Sequence, residues 1–139
     1  MTYCLKYAQD AGYVPVVAHV ERYKNIYAVN HEGIHADSEE KVYADALDYL
    51  QELRKLGCLF QINLYSVEQD EGTVGGGSRK RLANMFLEND LVDFVGTDTH
   101  RLDYKSPEAK VGAEAIRRIY GDTVANKVLY ENAERMLIV

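Results

Sequence analysis

At 139 residues, with 47% apolar and 27% charged side chains, the chain has the length and balance of one compact globular unit and indicates neither disorder nor a membrane class. A formal charge of −6 argues against a nucleic-acid partner, because a phosphate-binding surface needs clustered Lys and Arg, and acidic residues outweigh the one dense basic run, Arg79-Lys80-Arg81. Without a long apolar run or a signal peptide, a cytoplasmic protein with no membrane insertion is expected.

In chain order, a helix is predicted over Tyr3–Ala11 and ends at Gly12. An apolar run, Tyr13–Ala18, leads into the polar cluster His19-Val20-Glu21-Arg22. The segment Asn25–Ser38 carries His31 and His35, spaced like a helical metal pair. Asn30, Gly33 and the lack of an apolar face make them ordinary loop histidines. A second helix, Glu39–Leu56, places Val42, Ala46, Tyr49, Leu50, Leu53 and Leu56 three or four residues apart, with charged residues between them. Gly57 follows, then the strand-like run Cys58–Asn63, then Leu64-Tyr65-Ser66.

Glu71–Ser78, with Gly72 and Gly75-Gly76-Gly77, looks like a phosphate cradle but lacks the full phosphate-loop pattern and a strand leading into it, so a flexible loop is expected. A third helix, Arg79–Asn89, precedes the strand Val92–Gly96 and the cluster Thr97-Asp98-Thr99-His100. Ser106-Pro107 is a good helix start for Glu108–Tyr120. Gly121-Asp122 breaks the chain before Thr123–Tyr130, and Asn132–Leu137 closes with an apolar tail expected to pack on a neighbouring element. Cys4 and Cys58 are too few for a disulfide framework and read as reduced thiols. Neither has an arginine six residues on, so the cysteine-phosphatase loop is absent.

The alternation of short apolar runs with amphipathic helices implies an α/β architecture of parallel strands. Ligands in such folds gather at the carboxyl ends of the strands, where all three polar clusters fall. Asp98 and His100, two apart at a strand end, would face one cavity and suit a borderline-hard divalent metal; a hydrogen-bonded pair at a surface turn is the alternative. By the same alternation His19 and Glu21 would share a face. Arg22 beside them suits a phosphate or carboxylate, although a Glu21–Arg22 surface salt bridge fits equally simply. Gln61, Asn63 and Ser66 would either orient ligands from behind or cap the strand end.

These residues resemble a known family. Pro15-Val16-Val17-Ala18-His19-Val20-Glu21-Arg22-Tyr23 is similar to the Pro-Val-x-Ala-His-Pro-Glu-Arg-Tyr motif of the bacterial capsule-type (CpsB/CapC) protein-tyrosine phosphatases of the polymerase and histidinol phosphatase (PHP) superfamily. Gly57–Asn63 resembles their Gly-x-Leu-x-Gln-hydrophobic-Asn/Thr strand, and Phe94–His100 their Ser-Asp-Ala-His segment. Glu131–Leu137 looks like their closing helix.

The resemblance implies a distorted (β/α)7 PHP-type barrel and a divalent metal, manganese first, with iron or zinc as alternatives. It implies hydrolysis of phosphotyrosine on a protein partner, a bacterial tyrosine kinase controlling exopolysaccharide export. By position, His19, Asp98 and His100 are metal ligands, Asp98 lies near the attacking water, and Arg22 grips phosphate. The family's arginine five residues past the last His falls on Lys105, so phosphate contact there is expected either from Arg101 as a substitute or from a lysine point charge, and Val20 replaces the usual proline. The family's amino-terminal His-x-His motif and a later Glu ligand have no counterpart, so residues 1–139 are expected to be the carboxyl-terminal portion of a single PHP barrel, weak or inactive alone. Another PHP phosphoesterase, acting on histidinol phosphate or a small ester, and a non-catalytic half-barrel that forms a homo-oligomer are the competing expectations.

Overall fold

A computed structural model describes residues 2–23, 36–68, 76–100 and 107–137. Three parallel strands, β1 (Val16–Val17), β2 (Leu59–Asn63) and β3 (Phe94–Gly96), lie in the order β1-β2-β3. Val16 pairs with Leu59 and Val17 with Phe60; Gln61, Ile62 and Asn63 pair with Phe94, Val95 and Gly96. Helices α1 (Thr2–Asp10), α2 (Ala36–Lys55), α3 (Leu64–Val67), α4 (Gly76–Glu88), α5 (Pro107–Asn126) and α6 (Asn132–Leu137) flank and connect them. This is the α/β arrangement with parallel strands that the sequence pattern implied.

The strands are shorter than their apolar runs. Pairing nonetheless reaches beyond β1 and β3, since Leu59 N–H donates to Pro15 O (2.9 Å) and Asp93 N–H to Phe60 O (2.9 Å). Gly12 and Gly57 end α1 and α2 with φ of 86° and 79°, a left-handed conformation that a Cβ disfavours. At Gly112 the reason is space, because a Cβ would lie 2.6 Å from Leu64 O where α5 crosses α3.

One sheet face is packed. Val17, Phe60 and Ile62 meet Leu50 and Leu53 of α2, Leu82 and Phe86 of α4, and Ile116 of α5, all buried. Burying side chains of this size stabilises by about 1.5–3 kcal/mol each. Below the sheet the Arg54 guanidinium lies 4.9 Å over the Phe60 ring and pairs with Asp93 at 2.8 Å, while Asp93 also accepts from Phe60 N–H at 2.7 Å. The other face carries an apolar hollow of about 380 Å³ lined by Val16, Gln61, Phe94 and α6. Met136 and Leu137 of the apolar tail line that hollow and are 42% and 83% exposed.

Four departures from the sequence pattern have local causes. Leu64–Val67 is a helix that begins directly at the strand end. Helix α4 starts at Gly76, so Gly76, Gly77 and Ser78 of the glycine-rich segment form its first turn. Leu56 falls in the turn after α2 and is 43% exposed instead of joining Leu50 and Leu53 in the core. After the break at Gly121 (φ 82°), the chain runs without a gap through a π-helical turn, Lys127–Glu131, into α6. Among the described residues no helix is long and apolar enough to cross a membrane.

Candidate metal and phosphate site

The carboxyl ends of all three strands carry polar side chains that bond to one another. Past β1 the chain leaves the extended conformation: His19 has φ 39° and ψ 50°, and Val20–Arg22 form a 3-10 turn. His19 and Glu21 therefore do not alternate as on a strand. Glu21 turns inward and is fully buried, accepting from Ser66 Oγ at 2.6 Å and from Asn63 N–H at 3.3 Å. Its other oxygen, Oε2, has no hydrogen-bond partner. Burial pushes this carboxyl up from its ordinary value, and the bonds from Ser66 and Asn63 pull it partly back.

Arg22 does not close a surface pair with its neighbour Glu21. It reaches across the rim, and its Nη1 lies 2.7 Å from Asp98 Oδ2. Asn63 Nδ2 donates to the same oxygen at 3.0 Å. Asp98 itself lies beyond β3 with a left-handed φ of 55°, and its Oδ1 is 3.3 Å from His100 Nε2. The two side chains do meet, but as the pair at a surface turn that was the alternative to a shared cavity: Asp98 is left-handed and the His100 side chain is 82% exposed.

Gln61 connects this group to His19. His19 N–H donates to Gln61 Oε1 at 2.8 Å, and Gln61 Nε2 donates to Asn63 Oδ1 at 3.1 Å. A Cβ at Gly96 would come within 3.2 Å of Gln61 Nε2, so the glycine leaves room for this amide. Gln61, Asn63 and Ser66 each bond across to a neighbouring loop: Gln61 to the His19 amide, Asn63 to Asp98 and Ser66 to Glu21. Asn63, at the N-cap of α3, makes no side-chain cap bond. The buried bond of Glu21 and the grip of Asn63 on Asp98 carry no signature in spacing, because each joins strand ends 42 and 35 residues apart.

For a divalent cation the donor chemistry fits in part. Two donors on one ion with bonds of about 2.1 Å lie about 3.0–3.4 Å apart, and Asp98 Oδ1 and His100 Nε2 have that separation at 3.3 Å. The His19 ring lies instead against Tyr23, with centroids 6.0 Å apart and planes at 25°. Among the described residues no three His, Cys, Asp or Glu side chains converge closely enough to hold an ion. Arg101 and Lys105, like His31 and His35, lie outside the described residues.

Comparison with known proteins follows the same lines. The sequence matches the family described as "Capsular polysaccharide synthesis, CpsB/CapC" over residues 1–138. It is 32% identical over 127 residues to the tyrosine-protein phosphatase CpsB of Streptococcus agalactiae serotype III (strain NEM316), covering 91% of this chain and 45% of that protein. With the protein of the same name from Streptococcus pneumoniae it shares 31% identity over 129 residues, covering 91% and 46%. The chain thus spans under half the length of the curated relatives it matches. Its fold is similar to one in the crystal structures of YwqE from Bacillus subtilis and CpsB from Streptococcus pneumoniae, described there as unique metal-dependent tyrosine phosphatases. That likeness has a TM-score of 0.63 at 20% identity and covers 88% of this chain and 41% of the other. The chain belongs to the CpsB/CapC family of capsular polysaccharide synthesis.

Proposed function

We propose that residues 1–139 are part of a PHP-type barrel that hydrolyses phosphotyrosine on proteins controlling capsule or exopolysaccharide synthesis, with a tyrosine kinase as the protein partner and the cytoplasm as its place. The observation that carries this reading is the meeting of Arg22, Asp98 and His100 at the carboxyl ends of parallel strands. The names of the relatives support it.

Asp98 Oδ1 and His100 Nε2 would hold a divalent metal, manganese before iron or zinc, and His19 would approach as a further ligand. When bound, such a metal supplies a Lewis acid that neutralises phosphate oxygens and lowers the pKa of water. Arg22 offers a planar fork to two phosphate oxygens, exchanging its carboxylate partner for the substrate. By the motif resemblance, Arg101 and Lys105 would supply further positive charge for phosphate. Asn63 keeps Asp98 Oδ2 engaged when Arg22 leaves it. Water displaces tyrosine from phosphorus, giving free tyrosine hydroxyl and inorganic phosphate.

Three candidate ligands are few for this chemistry, so the chain alone is expected to turn over weakly or not at all. A chimera in which these residues replace the matching segment of the Streptococcus agalactiae relative tests the assignment. Release of phosphate from a phosphotyrosine peptide, abolished by His100→Ala with the fold intact, is expected. Preference for histidinol phosphate would move the reading to another PHP phosphoesterase. Loss of turnover in a folded chimera would reject a catalytic role for these residues.

A second reading has its own observation: the apolar hollow lined by Val16, Phe94 and the exposed Leu137 favours pairing of this face with a second copy of the chain. Sedimentation of the chain as a monomer across micromolar concentrations would reject it.

A further inference from the structure

We infer that Glu21 is a positioning residue: its buried carboxylate, bonded to the β2–α3 junction, fixes the direction in which Arg22 projects. This rests on the phosphate role given to Arg22 above. The argument begins with the geometry of the turn. Successive residues of a 3-10 turn point about 120° apart, and Val20 and Glu21 are both 0% exposed. With two directions committed inward, the third is left to Arg22, whose side chain is 41% exposed and reaches Asp98.

Burial alone would be served by a leucine of similar volume. The carboxylate adds direction, because Oε1 takes the Ser66 hydroxyl at 2.6 Å and the Asn63 amide at 3.3 Å. One donor, Asn63, ends β2 and also holds Asp98 through its Nδ2, and the other, Ser66, lies in α3 directly after it. Glu21 therefore ties the loop carrying Arg22 to the same residue that fixes the partner of Arg22. The arrangement is not explained as a stability device. A buried carboxylate with one oxygen lacking a hydrogen-bond partner is unfavourable in an apolar interior.

The test uses the 139-residue chain and reads the Arg22 Nε–Hε resonance by NMR, first free and then titrated with inorganic phosphate. Arg54, ion-paired with Asp93, is the internal control. In folded Glu21→Leu the Arg22 signal is expected to collapse towards the solvent-averaged position while Arg54 stays, with phosphate affinity falling roughly tenfold. Glu21→Gln keeps an oxygen in the Oε1 position and is expected to retain the dispersed signal and the affinity to within about twofold. An unmoved Arg22 resonance in folded Glu21→Leu overturns the inference, as does a Glu21→Gln variant that behaves like the leucine one.

If Glu21→Leu does not fold, Ser66→Ala decides, since it removes the 2.6 Å bond alone. A shifted Arg22 signal supports the inference and an unchanged one overturns it. If wild type and Arg22→Ala bind phosphate equally, the phosphate reading of Arg22 fails, and the resonance of the free chain still reports on Glu21.

Discussion

Replacing Asn63 by alanine isolates the contribution of the side chain behind Asp98. In the wild-type chain Asp98 Oδ2 is held twice, by Arg22 at 2.7 Å and by Asn63 at 3.0 Å, and Oδ1 is thereby presented to His100. Asn63→Ala deletes the hydrogen bond from this 4% exposed residue and leaves Asp98 Oδ2 held by the half-exposed Arg22 alone. Removing a partner of this kind behind a metal ligand costs roughly 10- to 100-fold in metal affinity, about 1.4–2.7 kcal/mol. Calorimetric titration with zinc or manganese, run on both variants at one pH and ionic strength, reads this directly. Asn63→Asp should weaken binding by disordering the pair further, because it sets a second carboxylate against Asp98. Unchanged affinity in Asn63→Ala, for a wild type that binds metal through Asp98, would refute the idea that Asn63 restrains the ligand.

Two further outcomes are expected. The Tyr120 phenol, which donates to Asn84 Oδ1 at 2.6 Å, is pushed up to about 12 by burial first and by the charge of Glu88 second. With the folded value above the unfolded one, its contribution to stability is complete below pH 10.0 and disappears as the pH rises through about 12. A wild-type minus Tyr120→Phe alkaline absorbance titration should show that late phenol, and an ordinary midpoint would contradict it. Asp93→Ala strips the partner from Arg54, one of whose nitrogens, Nη2, is already buried without a bond. We expect a loss of about 2 kcal/mol, discounted for partial exposure, and a thermal midpoint lower by about 6–8 °C in calorimetry. A shift under about 1 °C would show the pair to be incidental.

Much of the fold was legible because its signals are local. Leu50 and Leu53 sit at helical spacing on a face that is buried, Gly57 stops their helix, and Leu59–Asn63 follows as a strand. The glycine-rich segment misled for an equally local reason. Glycine is a poor helix former, yet Gly76 and Gly77 open α4, where a first turn has few intrahelical bonds to lose. The π-helical turn at Lys127–Glu131 joins two helical patterns that read as separate pieces.

The strand-end placement of the candidate residues was legible in the sequence, but their geometry was not. His19, Arg22, Asp98 and His100 all stand past strand ends, and the motif resemblance named the same four. Their mutual arrangement depends on two non-glycine residues with positive φ, His19 at 39° and Asp98 at 55°. Strand alternation assumes extended backbone throughout, so it put Glu21 beside His19 when the turn sends Glu21 into the interior. A left-handed residue costs free energy that only surrounding contacts can offset, and here those contacts come from another strand: Gln61 on the His19 amide and Asn63 on the Asp98 carboxylate. The shape of the rim is therefore a property of β2, the strand contributing no candidate ligand. Substitutions at Gln61 or Asn63 should accordingly disturb the site more than their own chemistry suggests.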